Sequence, residues 1–480
     1  MKTIVKYMLA MTIFLGTSCI KENFGNEEPC NCEEQEVTLR LAMPYVSPKN
    51  PTTRAIGEEE ENAVENLYAL AFRVHDNGEE TFQYMAQARM TDNSDPESAS
   101  QSFSVRLRVQ NYSQRIVLVS NAQSQIKALV ASRADGWVNQ EKEAMLKNLV
   151  VAGDWNATSP QNYAKIPMWS ESEPIVVSGR TLEISDGPIP MLRMTAKIEV
   201  QLGENARRNF KLKSVHVYNA NSAGRIVPVS ANIDETLKAL HPSLPESFSV
   251  RPPMRFADFS APGEPDVAML GAIYVFETAA RNKTDLNGDA SQEMCIVVGG
   301  TYGAEEIPTF YRIDFLSRDG SQRIDILRNF RYACNIAEVN GAGHPTVEEA
   351  FAEKSYNMVA EVKQWDVSEI THIVFDNHHT LGADKNAFAF DRAARTTASA
   401  DNKLSILTDA PAGWKAEAYA DASRTRPSDW LSLNQKFGAA ETVAKISLIA
   451  AENTGAERSA YISVTAGNLK FGITVKQGMK

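Results

Sequence analysis

The stretch Val37-Thr38-Leu39-Arg40-Leu41-Ala42-Met43 sets an apolar side chain at every second position, the period of a strand with one face in a core and one in water. Pro44 ends the run, and Pro48 and Pro51 make a turn cluster, because proline lacks the amide that would continue a ladder. Arg54 and Ala55 follow, then an acidic run from Glu58 to Glu61 that reads as a linker. Beyond it the two-residue period returns over 67–74, 103–109 and 115–119. Residues 140–150 are an exception, reading as an amphipathic helix with Ala144, Met145, Leu146 and Leu149 on one face.

Two proline-interrupted strand starts, Ile166-Pro167-Met168-Trp169 and Ile189-Pro190-Met191-Leu192, close a first unit. A second unit alternates over 194–202, 211–218, 294–298, 310–315, 331–337 and 358–362, with Trp365 just beyond. After Asp376 a third begins, with strands expected over 387–390, 403–407, 414–418, 446–450, 460–464 and 471–475. Short strands at close spacing with few helices predict an all-β chain of sandwiches. The length of 480 residues agrees, since one core serves about 150 residues and roughly three units follow.

The hydrophobic share of 43% and charged share of 23% exclude wholesale disorder and a polytopic membrane protein. A net charge of −11 without a basic stripe excludes a nucleic-acid partner, which needs clustered Lys and Arg. Gly299-Gly300 is followed by neither Lys-Ser nor Lys-Thr, so no phosphate loop is present, and a Gly-Xaa-Ser-Xaa-Gly elbow is missing. Asp285-Leu286-Asn287-Gly288-Asp289 lacks the oxygen spacing and terminal Glu of a calcium loop and reads as a polar turn. His372, His378 and His379 read as linker histidines rather than metal ligands. No catalytic residue, metal ligand or cofactor is assigned, and the chain is not expected to be an enzyme.

At the start of the chain, Lys2 and Lys6 flank a short apolar run over 7–15, followed by Gly16, Thr17, Ser18 and Cys19. The run is shorter than the ~20 residues that cross a bilayer, so it reads as a signal peptide. Small residues before Cys19 resemble a bacterial lipobox, with Gly16 where Leu is usual, and imply a lipid on Cys19; cleavage leaving a free thiol is the alternative. Residues 20–36 read as an acidic tether. Cys30 and Cys32 lack a second ligand pair for zinc, and Cys295 and Cys334 are open between a cross-strand disulfide and two buried thiols. Trp414 and Trp430 are the candidates for stacking on a sugar. Trp430 runs into Leu431-Ser432-Leu433, a core-like strand, so burial is the stronger expectation for it.

Across residues 37–366 the order of several segments resembles the fimbrillin superfamily, the subunits of Bacteroidetes type V pili. The segments are Thr53-Arg54-Ala55, Glu65-Asn66-Leu67-Tyr68, Val117-Leu118-Val119-Ser120-Asn121-Ala122, the two Ile-Pro-Met stretches leading to Ala196-Lys197-Ile198, the run over 215–221, Tyr311-Arg312-Ile313-Asp314-Phe315, the run over 326–332, and Val339-Asn340-Gly341. The resemblance implies two transthyretin-like sandwiches, over 55–192 and 193–376, export as a lipoprotein through residues 1–19, and removal of residues 20–54 by an Arg-specific protease cutting after Arg54. Val37, Leu39, Leu41 and Met43 would leave with that piece, and the exposed groove would take a strand from another pilus subunit. Residues 377–480 resemble a BACON-type Ig-like sandwich on Trp430-Leu431-Ser432, the run over 453–458, Tyr461-Ile462-Ser463-Val464 and Ile473-Thr474-Val475-Lys476-Gln477. A folded domain in place of a free C-terminal donor implies a tip or accessory subunit, carried first on the outer membrane by the Cys19 lipid and then in the fimbria. A host or bacterial surface glycan or protein is a further expected partner, and the alternative is a permanently anchored glycan-binding surface lipoprotein in which Cys19 stays attached and the third domain captures sugar.

Overall fold

The computed structural model describes residues 33–42, 61–91, 100–152, 165–185, 189–228, 232–233, 239–240, 248–257, 260–261, 264–286, 290–317, 320–353, 356–366, 372–375, 379–440 and 442–478. Its first part is built from β1 (Glu34–Ala42), β2 (Leu67–Val74), β3 (Glu80–Met90), β4 (Ser100–Arg108), β5 (Gln114–Ser120), β6 (Val150–Ala152), β7 (Met168–Glu171), β8 (Ile189–Pro190) and β9 (Leu192–Arg193). Eight of these form one sheet in the order β8-β1-β4-β3-β2-β5-β7-β9. β8 and β9 stand at its two ends, yet only Met191 separates them in the chain, so the sheet bends round until its edges nearly meet. β3 is the corner, pairing with β2 along its length and with β4 only at Arg89 and Met90. Between the two layers lies a core of alternate side chains, among them Leu39, Leu67, Ala69, Phe103, Val105 and Leu118.

β2 is apolar almost without interruption because both its faces are covered. Tyr68, Leu70 and Phe72 point the other way, against α1 (Gln123–Ala131), α2 (Lys142–Leu146) and the second sandwich's Ile226, Tyr274 and Phe276. The helix expected over 140–150 is therefore shorter. After Leu146 the chain turns and, as β6, enters a ladder with β12 (Ala223–Arg225), which serves the contact between sandwiches better than another helical turn would. Met145, Leu146 and Leu149 are all still buried.

The second sandwich contains β10 (Thr195–Leu202), α3 (Glu204–Asn209), β11 (Phe210–Tyr218), β12, the pair β13 (Asn232–Ile233) and β14 (Ala239–Leu240), and β15 (Met254–Ala257). It continues with β16 (Ser260–Ala261), β17 (Glu264–Phe276), β18 (Cys295–Tyr302), β19 (Thr309–Asp314), β20 (Phe330–Val339), α4 (Val347–Ala352) and β21 (Met358–Asp366). Sheets β16-β17-β10-β20-β21 and β15-β11-β18-β19 enclose its core. Arg328 braces the end of β12, the strand that pairs with β6 of the first sandwich. Its guanidinium donates to the carbonyls of Ile226 at 2.7 Å and Arg225 at 2.9 Å and pairs with Glu277 at 2.7 Å, all out of water.

The third unit comprises β22 (His372–Phe375), β23 (Thr380–Ala383), β24 (Ala387–Phe390), β25 (Lys403–Thr408), β26 (Trp414–Tyr419), β27 (Leu431–Leu433), β28 (Phe437–Gly438), β29 (Ala444–Ala450), β30 (Arg458–Ala466) and β31 (Leu469–Gln477). Its sheets, β22-β23-β25-β29-β27 and β24-β31-β30-β26-β28, close on a core made wholly of its own residues. β22 pairs with β23 from His372 opposite Ala383 to Phe375 opposite Thr380, one strand on each side of the boundary expected at 376/377. The architecture is all-β throughout, three sandwich units in series.

Candidate functional site: the first strand and its groove

β1 runs antiparallel to β4 in an unbroken nine-residue register from Glu34 opposite Arg108 to Ala42 opposite Ser100. Val37, Leu39 and Leu41 are fully buried, while Glu36, Thr38 and Arg40 face water. Three aliphatic side chains at about 1.5–3 kcal/mol each, together with the ladder, hold the strand. Its other edge is covered thinly. β8 meets only Leu41 and Ala42, the Thr38 amide donates to the Leu182 carbonyl at 2.7 Å, and Arg40 pairs with Glu183 at 2.6 Å on the surface. Removing β1 would uncover one full row of β4 backbone groups above an apolar trough.

Where the described residues resume, at Glu61, the chain is fastened at once. Glu61, expected in an acidic linker, is buried instead, with Lys197 at 2.6 Å, Arg193 at 3.6 Å and the Tyr274 hydroxyl donating to it. Burial pushes its carboxyl up, but the Lys197 and Arg193 charges outweigh that and hold it below the ordinary glutamate range. Asn62 accepts from Arg193 at 2.6 Å, and Lys197 reaches on to Glu199 at 3.3 Å, which pairs with Arg331 of the second sandwich. Nothing local marks Glu61, because Lys197 is 136 residues away in the chain. Cys19, where lipidation is expected, Met43, expected in the strand, and Arg54 and Ala55, where cleavage is expected, lie outside the described residues, as do Cys30, Cys32 and His378.

The two tryptophans considered for sugar stacking are buried, the outcome expected for Trp430. Trp414 is 2% exposed and Trp430 9%, both within the core, and the Arg458 guanidinium lies 4.4 Å above the Trp430 ring. The indole faces that would stack on a pyranose are taken by protein. Trp169 packs in the core shared by the first two sandwiches. Cys295 and Cys334 are separate buried thiols on strands of opposite sheets, and burial pushes Cys295 up to about 12. Arg323 donates to the carbonyls of Asn282 at 2.9 Å and Asp285 at 2.7 Å; Asn287, Gly288 and Asp289 lie outside the described residues. Among the described residues no group of three His, Cys, Asp or Glu is placed to hold a metal, and no helix is long and apolar enough to cross a membrane.

Residues 417–478, from within β26 past the end of β31, match the BACON family, described as "Putative binding domain, N-terminal". No curated protein matches the chain. Among solved structures, a candidate cell adhesion protein from Bacteroides eggerthii is similar at 16% identity over 69% of this chain and 96% of that one, with a TM-score of 0.38. A candidate adhesin from Bacteroides ovatus is similar at 11% over 65% and 91%, with a TM-score of 0.29. A candidate cell adhesion protein from Bacteroides fragilis is similar at 11% over 68% and 97%, with a TM-score of 0.26.

Proposed function

We propose that the chain is a non-enzymatic cell-surface adhesive subunit, exported as a lipoprotein on Cys19 and matured by cleavage after Arg54, whose vacated groove accepts a strand of a neighbouring subunit. The observation that carries this reading is the asymmetry between the residues before position 43 and those after position 60. Upstream lies β1, paired fully on one side and thinly on the other. Downstream lies Glu61, fixed into the junction of two sandwiches. A cut between them separates a strand that can leave from a body that stays folded. The empty groove, with its unpaired backbone and apolar floor, is a site for strand addition driven by reburial of apolar surface.

β31 supports an end position in an assembly, because it is paired on both sides within the third unit and is not free to reach a neighbour. The third unit would then stand outermost. An anchored glycan-binding lipoprotein gains nothing from Trp414 or Trp430, which are buried. Mass spectrometry of material sheared from the cell surface tests the proposal. The chain is expected to begin at Ala55 and to lack β1, whereas a full-length acylated chain in that fraction would overturn it. Arg54→Ala should leave the precursor monomeric and membrane-bound.

A further inference from the structure

The floor of the groove carries one polar side chain. On β4, Gln101, Phe103, Val105 and Leu107 form the inward row, and Gln101 alone among them is not apolar. It lies directly opposite Leu41 in the β1–β4 register and is 1% exposed. Its amide nitrogen makes one long hydrogen bond, 3.4 Å, to the Asn62 carbonyl. Its amide oxygen is buried without a partner. Opposed side chains on antiparallel strands stand about 4.5–5.5 Å apart at Cβ, so the residue facing Gln101 is the one able to reach that oxygen. Leu41, which faces it now, has no donor to give, and a buried acceptor left unmet is a standing cost to the resident strand.

We infer that Gln101 is a specificity residue of the groove, selecting an extended segment of a partner polypeptide that is apolar at the registers of Val37 and Leu39 and carries a side-chain hydrogen-bond donor at the register of Leu41. The inference rests on the strand-replacement reading above. It gives that reading a direction: β1 fills the trough but leaves Gln101 unsatisfied, and an incoming strand with a hydroxyl or amide at that point fills both. Phe103 and Val105 set the shape of the two apolar positions, opposite Leu39 and Val37. The polar end of the trough continues through Asn62 to Arg193 and Glu61, so the donor-bearing residue would join a network that already ties the first sandwich to the second.

The test uses the full chain cut at Arg54 and two nine-residue peptides built on Glu34–Ala42, one with Thr and one with Val at position 41. The two side chains share a shape and differ in the hydroxyl, so packing cancels in their ratio. Displacement of the resident segment is followed by native mass spectrometry for the unsubstituted chain and for Gln101→Met, with Gln101→Leu as a second receptor. The Thr-to-Val affinity ratio should be at least about tenfold higher with Gln101 than with either variant, a coupling of ~1.4 kcal/mol. Exchange of both peptides with ratios that agree across the three receptors would overturn the role of Gln101 and leave strand replacement standing. Complete cleavage with no displacement by either peptide would overturn both.

Discussion

Among the described residues the first and last strands, β1 and β31, are each nine residues long and each bury alternate apolar side chains, yet they are held in different ways. β31 is laddered to β30 over its whole length and to β24 over Thr474–Gln477. Its final residue is cross-braced as well: Gln477 accepts from Arg458 at 2.8 Å, donates to the carbonyls of Ala393 and Ala451, both at 3.2 Å, and its own carbonyl accepts from Asn453 at 3.1 Å. β1 has one ladder, a short parallel contact and an exposed ion pair, and it precedes Arg54 by twelve residues in the sequence. Burial alone does not distinguish a strand that stays from one that leaves. The bracing of its second edge and of its end does.

That contrast can be broken at graded cost. Glu61→Ala has the largest expected effect, about 3–5 kcal/mol, because it takes the shared carboxylate from two buried cations, Lys197, which keeps Glu199, and Arg193, which keeps the neutral Asn62. Chemical denaturation should show the first two sandwiches destabilised together and the third unit's transition unmoved. The same pairing has a pH signature. A carboxyl held below its ordinary range in the folded chain contributes stability that is complete above the unfolded value and is lost as pH falls through the lowered folded one, so the two-sandwich body should weaken on acidification and Glu61→Gln should flatten that slope. Leu39→Ala should cost about 2–5 kcal/mol in the first sandwich alone, through lost burial and a cavity beside Phe103. Gln477→Ala should cost about 1–3 kcal/mol and act only on the third unit, read from its separate thermal transition. Arg40→Ala is the mildest, under about 1 kcal/mol and fading with added salt, since its partner Glu183 is as exposed as it is.

Strands with uninterrupted alternation were legible, and the expected 387–390 strand coincides with β24. Local pattern failed where pairing is irregular. β3 is unmarked because its register against β2 shifts between Ala71 and Phe72, and β17 because a shift against β10 falls between Ile198 and Val200. α1 escaped notice despite Ile126, Leu129 and Val130 at helical spacing, since nine residues give the pattern only one repeat. At the candidate site, the buried row Val37, Leu39 and Leu41 was readable from alternation. The Glu61 clip and the unmet Gln101 oxygen were not, for each is defined by a neighbour distant in sequence. The tryptophans show both sides: the Leu431-Ser432-Leu433 strand after Trp430 made its burial readable, while no such pattern was read for Trp414, which packs in the same core.

Backbone hydrogen exchange on the full chain, before and after cutting at Arg54 and removing the released piece, bears most directly on the claim that β1 leaves while β31 stays. The account predicts that β4 amides facing β1 lose protection on removal and regain it when a complementary strand is added, with β30 and β31 unchanged throughout. Undiminished β4 protection after β1 has gone, or a loss of protection in β31 alongside it, would contradict the account.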